Sequence, residues 1–343
     1  MKPEQAEQFL IEELFSQSVE AANLKDGSLE EVDRLTGDAS TRRYYRLFTK
    51  DNSYVVCLDN PTNETRPDNT FLMVQEFLSK HDVRVPIIYH HNIKRGYLLE
   101  EDLGDITLLQ SLSQLESTEV ELKIYTEVID EMLKIHNLDS SIVEKTPMSK
   151  IEFDYEKLMG EIDFTVKYFI EHFFNVTDRK TLSELSAEFS EVCQRLAKEN
   201  KVLTHRDFHS RNVMIKDNEK IIIDFQDARM GIPQYDLVSL LEDCYYKVNG
   251  ENKVKLIKYY YENLPESVHG QKDFSHFMEL YCDMLVQRVF KALGSFAYIY
   301  KTRKDERYLK YIGFGMEKLR TTFLKHKKYD KIRKKLFKIY YAN

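Results

Sequence analysis

The sequence predicts an α+β fold with a small antiparallel-sheet N-terminal lobe and a larger, mainly helical C-terminal lobe. Three observations predict it. Residues 33–59 form short segments rich in Tyr, Val and Leu, broken at Gly37-Asp38 and Asp51-Asn52, the texture of strands joined by tight turns. Beyond Leu103-Gly104-Asp105, apolar residues recur at helical spacing over most of the chain. A single strand-rich island, 202–225, interrupts those helices. The lobes are expected at 1–102 and 103–343, meeting near 100–105 without a Gly/Ser tether or an internal repeat.

The chain opens on Pro3 and then places Leu10, Ile11, Leu14 and Phe15 on one side, which predicts an amphipathic helix over 3–23. After the strands of 33–59, a helix is expected at 69–80, then strands near Val85–His90 and at Gly96–Glu101. Ile124, Val128, Met132 and Ile135 mark one helix of the second lobe. Leu158, Ile162, Val166, Phe169 and Phe173 mark another.

At 343 residues and 42% hydrophobic, the chain can bury a substantial core in two lobes. A formal charge of -7 argues against a dedicated nucleic-acid binder, which needs a basic surface for phosphates. The basic run Lys325, Lys327, Lys328, Lys331, Arg333, Lys334 and Lys335 interleaves with Leu336, Phe337 and Ile339, as on the solvated face of a last helix. Cys57, Cys193, Cys244 and Cys282 are scattered in apolar contexts and predict buried, reduced thiols. No apolar stretch approaches the ~18 residues of a membrane span. The acidic start after Met1-Lys2-Pro3 does not look like a secretory signal, so a cytoplasmic monomer without membrane or nucleic-acid partners is expected.

The island carries the chemistry. It reads Val202-Leu203-Thr204-His205-Arg206-Asp207-Phe208-His209-Ser210-Arg211-Asn212-Val213-Met214-Ile215, then Ile221-Ile222-Ile223-Asp224-Phe225. Phosphoryl transfer from a nucleotide needs a carboxylate to orient or deprotonate the acceptor hydroxyl, and oxygen ligands for Mg2+. Asp207, Asn212 and Asp224 supply that set: Asp207 as general base, Asn212 and Asp224 as metal ligands. Their spacing resembles the protein-kinase fold, with its HRDxxxxN catalytic loop and a later strand-terminal Asp. His205 is expected to brace the loop.

Downstream, Asp224-Phe225-Gln226-Asp227-Ala228-Arg229-Met230-Gly231 leads to Asp236-Leu237. This pattern resembles the aminoglycoside phosphotransferase/choline kinase superfamily. Asp236 then corresponds to the family's second acid, expected to brace the catalytic loop, and also reads as an N-cap for the helix carrying Leu237, Leu240, Leu241, Cys244 and Tyr245. Three further segments are similar to bacterial anomeric N-acetylmuramate/N-acetylglucosamine kinases: Gly37-Asp38-Ala39-Ser40 with Arg42-Arg43-Tyr44, Leu99 to Asp105, and Gln287-Arg288 to Phe296. The resemblance runs from about residue 35 to 312. It implies ATP-dependent phosphorylation of the anomeric hydroxyl of a small amino sugar in cell-wall sugar recycling.

A hairpin at 35–47 can place backbone N–H groups of Gly37, Ala39 and Ser40 toward phosphate. Glu100, Glu101 and Leu103 are expected to form the adenine-binding hinge. The third strand, Tyr54 to Asp59, lacks the Lys that kinases use on phosphates, so Arg43 or Arg46 is expected to substitute, or metal and backbone carry them. Gln287 and Lys291 share a helix face, and with Arg288, His209 and Arg229 are candidates for acceptor contact. The alternatives are a kinase for choline, homoserine or an aminoglycoside, and a non-catalytic nucleotide-binding module. A cationic acceptor would want an acidic pocket, for which Glu242-Asp243 is the nearest cluster.

Overall fold

The computed structural model describes residues 5–25, 28–35, 42–61, 69–269 and 273–342. They form two compact units, Met1–Ile106 with Met214–Gln226, and Thr107–Val213 with Asp227–Asn343. The boundary thus falls near 106, and the segment 214–226 joins the first unit.

The first unit is built on a five-stranded antiparallel sheet in the order β1-β2-β3-β5-β4. Its strands are β1 (Leu29–Leu35), β2 (Arg43–Thr49), β3 (Ser53–Leu58), β4 (Ile88–Asn92) and β5 (Tyr97–Glu101). Strand alternation sends Tyr45, Leu47, Tyr54, Val56, Leu58, Tyr97 and Leu99 to one face. There they close a core with Ile11, Leu14 and Phe15 of the Gln5–Ala21 helix. The opposite face carries Tyr44, Val55, Cys57, Leu98 and Glu100, as the pairs Tyr44↔Cys57, Cys57↔Leu98 and Val55↔Glu100 require. The Thr70–Lys80 helix starts where Asn69 accepts the Leu72 amide at 3.0 Å.

The strand expected near Val85–His90 begins three residues later, at Ile88. Pro86 has no N–H for a ladder and instead accepts from the Gln75 side chain at 2.8 Å. β7 (Val213–Lys216) and β8 (Glu219–Ile222) pair as a hairpin, and Met214 and Ile221 pack with Leu103 and Ile223 in a small second core. The amides of Ile215 and Ile222 donate to the carbonyls of Ile106 and Arg84, both at 2.8 Å.

The second unit is helical around the long Phe274–Arg303 helix. That helix packs on the Tyr155–Thr165, Gln234–Leu241 and Lys310–Lys325 helices. The apolar stripe of Leu158 to Phe173 runs through two elements, since the α-helix ends at Thr165 and Val166–Phe173 is a π-helix. Contact with the long helix is closest at Gly294, where a Cβ would lie 2.4 Å from Thr165 Oγ1 and 2.7 Å from its Cα. β6 (Val202–Thr204) pairs with β9 (Arg229–Gly231), setting Thr204 opposite Arg229. The basic run forms the Asp330–Ala342 helix and the turn before it. Ile332, Leu336, Phe337 and Ile339 of that helix are buried, while Lys335 bridges Glu184 and Glu188, each at 3.0 Å. All four cysteines are free; Cys57, Cys193 and Cys244 are buried and Cys282 is half-buried.

Candidate active site

The loop after β6 is fixed from below by one carboxylate. Asp236 is fully buried and accepts the backbone amides of His205 at 2.6 Å and Arg206 at 3.0 Å. Capture of two successive amides holds Arg206 at φ 84°, a left-handed conformation that non-glycine residues adopt at a cost of ~1 kcal/mol or more. His136, from the end of the Thr118–His136 helix, puts Nε2 3.0 Å from the same carboxylate and Nδ1 2.5 Å from the Tyr260 hydroxyl. Asp236 is not the N-cap the sequence suggested. It lies inside the first turn of Gln234–Leu241, whose N-cap is Pro233, and it works across the unit on the loop. His205 is buried and accepts the Asp207 amide on Nδ1 at 3.2 Å, which fits the bracing expected of it. Farther along the loop, Asp243 takes the Ser210 amide at 3.1 Å together with the Ser210 hydroxyl.

Asp207 sits at the head of this loop among cations. Arg288 Nη2 donates to Asp207 Oδ1 at 3.1 Å and to the Arg206 carbonyl at 3.2 Å, while its Nε is held by Ser239 Oγ at 2.7 Å. Lys291 Nζ stands 3.8 Å from the same Oδ1. Burial alone would favour the neutral acid, but Lys291, Arg288 and Arg206 outweigh it and hold the Asp207 carboxyl well below the usual carboxylate range. The carboxylate is thereby held ionised, with Arg288 fixing its direction. That suits a loose phosphoryl-transfer transition state, where positioning matters more than full deprotonation.

The structure brings several expected residues together. Gln287 is fully buried and donates to Glu161 Oε2 at 3.0 Å. Arg229 lies over the Phe153 ring at 5.4 Å and is oriented by the Asp227 carbonyl at 3.1 Å; Asp227 also pairs with Arg206. His209 packs edge-on against Tyr245, on the same loop as Asp207. Asn212 Nδ2 donates to the Asp207 carbonyl at 2.9 Å.

In the first unit, Asp224 follows β8 with φ 66°, a conformation aspartate tolerates, and accepts from Gln226 Nε2 at 2.8 Å. Glu101 is a buried acceptor for Arg84 at 2.8 Å and Lys216 at 3.2 Å, and Leu103 is buried in the small second core. Arg46 is held by Asp102 at 2.9 Å, Asp105 at 3.0 Å and the Gly104 carbonyl at 3.1 Å. Arg43 pairs with Glu7 of the Gln5–Ala21 helix at 2.5 Å and is 42% exposed on its side chain. Ser40 lies outside the described residues.

Sequence reasoning passed over Arg42, which pairs with Asp59 at 2.9 Å and covers the Phe71 ring. Glu100 is 5% exposed, and its Oε1 has no hydrogen-bond partner among the described residues. Burial pushes its carboxyl up to about 8, against the opposing pull of Arg42. Reasoning from sequence also missed His136, Tyr260 and Glu161, and read Asp243 only as part of an acidic cluster. Each sits in an ordinary helical or loop context, and only the fold brings it to the loop.

Comparison with known proteins agrees with this geometry. The model of the phosphotransferase enzyme family (APH) matches residues 31–269, and the chain belongs to that family. It is an enzyme of the phosphotransferase class.

The N-acetylmuramate/N-acetylglucosamine kinase of Neisseria meningitidis serogroup B is 29% identical over 280 residues, 79% of each chain. The kinase of the same name from Caulobacter vibrioides is 25% identical, covering 86% of this chain and 89% of its own. Among solved structures, the ADP-bound aminoglycoside phosphotransferase APH(2″)-Ib aligns with a TM-score of 0.58 at 16% identity, over 91% of this chain and 98% of its own. Choline kinase LicA from Streptococcus pneumoniae gives a TM-score of 0.58 at 13% identity, over 91% and 99%. These likenesses establish the protein-kinase-like fold. No helix of the described residues is long and apolar enough to cross a membrane.

Proposed function

We propose that this enzyme transfers the γ-phosphoryl group of ATP to the anomeric hydroxyl of N-acetylmuramate and/or N-acetylglucosamine, feeding cell-wall sugar recycling from the cytoplasm. The observation that carries this reading is Asp207, ionised by Arg288, Lys291 and Arg206 on a loop pinned by Asp236. Asp207 accepts a hydrogen bond from the sugar hydroxyl and aligns its lone pair for in-line attack on the γ-phosphorus. The hydroxyl proton passes toward Asp207 or the transferred phosphate as the new P–O bond forms. Arg288 fixes the carboxylate's direction and Asn212 the loop that carries it.

Asn212 and Asp224 are proposed as the protein's oxygen donors to Mg2+. Asn212 carries an amide oxygen and Asp224 a carboxylate, hard donors of the kind Mg2+ takes alongside nucleotide phosphates. When bound, the ion would offset charge on the β- and γ-phosphates. Glu100, Glu101 and Leu103 remain proposed for the nucleotide, with Ser40, Arg43 and Arg46 from the hairpin. Gln287, Arg288, Lys291, His209 and Arg229 are proposed for the acceptor. A monomer acting on a small molecule is the working state.

A cationic alcohol fits less well. Glu242 and Asp243, the nearest acidic cluster after Asp236, are buried: Glu242 pairs with Lys253 at 2.9 Å and Lys318 at 3.3 Å, and Asp243 accepts from Ser210. The test is ADP release with Mg-ATP across N-acetylmuramate, N-acetylglucosamine, glucose, choline, homoserine and kanamycin. The N-acetyl sugars should turn over, and Asp207→Asn should abolish turnover while ATP still binds. Turnover confined to amine substrates, or undiminished in Asp207→Asn, would refute the reading.

A further inference from the structure

Around Asp207 the second unit gathers more positive charge than its acids absorb. Arg206 and Arg229 share Asp227, which is half exposed, and Arg288 takes Asp207. Glu161 is engaged by the neutral Gln287 amide. Lys291 is left with Asp207 at 3.8 Å, beyond hydrogen-bond reach, and its ammonium donates to no described residue although its side chain is only 17% exposed. Beneath these cations Tyr235 stacks on Phe153 with centroids 4.1 Å apart, and the Tyr235 ring carries Arg288 at 5.0 Å as Phe153 carries Arg229.

Three polar atoms of this cluster lack a hydrogen-bond partner among the described residues: Arg206 Nε, the Tyr235 hydroxyl and Gln287 Oε1. The last two are on residues 1% and 0% exposed. Buried polar atoms are nearly always paired, so a ligand group is the economical explanation for such a cluster. An ammonium, a phenol and a guanidinium are all donors, and the ligand that serves them best is a carboxylate.

We propose that Lys291, Arg229 and Tyr235 form a carboxylate subsite beside Asp207, making this kinase selective for an acidic N-acetyl sugar over its neutral counterpart. The inference rests on the anomeric-kinase reading above and sharpens it. N-acetylmuramate is N-acetylglucosamine bearing an acid-terminated ether, so the two sugars differ by the group the subsite reads. The cations' own electrostatics agree. Burial and then Arg288 lower Lys291, and burial and then Arg206 lower Arg229, so an anionic group bound beside them would favour both charged forms.

The experiment is kcat/KM for both sugars with the wild-type enzyme, Lys291→Met and Lys291→Arg. The wild type should favour N-acetylmuramate at least tenfold, mainly through KM. Lys291→Met should lose at least tenfold more on the acidic sugar than on the neutral one, and Lys291→Arg should keep the preference. Turnover of both sugars without discrimination by the wild type overturns the subsite alone, and needs no variant. Equal losses on both sugars in Lys291→Met also overturn it, placing Lys291 on the transferring phosphoryl group. Turnover of neither sugar overturns the kinase reading itself and the subsite with it.

Discussion

Replacing Glu100 by Gln should remove a pH dependence from the stability of the first unit. Glu100 is 5% exposed on the sheet face it shares with Tyr44 and Cys57, and its carboxyl is pushed up to about 8 by burial from an ordinary value of 4.5. The neutral form is therefore the one the fold accommodates. A group with a raised native pKa stabilises fully below its unfolded pKa, and that stability is lost as pH rises through the native value. At about 1.4 kcal/mol per pH unit, Glu100 should cost the protein about 4 kcal/mol between pH 5 and pH 8. Glutamine keeps the shape and does not titrate. Urea melts of the wild type and Glu100→Gln at pH 5, 6, 7 and 8 measure the difference. The variant should match the wild type near pH 5 and be the more stable of the two by several kcal/mol at pH 8. Parallel stability–pH curves would refute the reasoning and put the Glu100 charge in contact with a counter-ion or water.

Three further substitutions or conditions follow from the same contacts. Asp236→Ala strands the amides of His205 and Arg206, and at ~1–3 kcal/mol for each unsatisfied group it should cost about 2–6 kcal/mol in chemical denaturation. It should also lower kcat, with Asp236→Asn intermediate in both because one acceptor oxygen survives. Gly294→Ala forces a methyl against the Thr165 backbone and should destabilise by about 1–3 kcal/mol in the same assay. Lys291, faced by Arg288, Asp207, Glu161 and Arg206, is lowered by burial and by Arg288. Its charge is lost as pH rises through that lowered value, so the preference for the acidic sugar should fall on the alkaline side before an ordinary lysine would titrate, in kcat/KM ratios measured from pH 7 to 10.

What the sequence made legible was whatever is written in local spacing. The strands of the first sheet, the helix after Asn69 and the polar loop between two apolar strands could be read because period-two alternation, a capping side chain and an apolar–polar–apolar run are short-range signals. The more distant of the loop's supports were not legible. His136 closes a helix 69 residues before His205, and nothing in its neighbours distinguishes it from a surface histidine at a helix end. Asp236 reads from sequence both as a helix cap and, by its resemblance to the family's second acid, as a brace of the catalytic loop; the fold turns its carboxylate to the loop amides and gives the cap position to Pro233. The stripe through Phe173 has α-helical spacing, yet the backbone widens to a π-helix after Thr165, which packs against Gly294. Charge assignment was also hidden. Arg43 and Arg46 are adjacent candidates in sequence, but strand alternation sends Arg43 to Glu7 on the helix-covered face and Arg46 to Asp102 and Asp105.

The most direct test of the central claim is the position of the transferred phosphate. Wild-type enzyme incubated with Mg-ATP and N-acetylmuramate should yield, by 31P NMR, a monoester whose phosphorus couples to the anomeric proton and which is stable to alkali and labile to acid. A phosphate coupled to any other carbon's proton, or ADP formed with no sugar phosphate, would contradict the account.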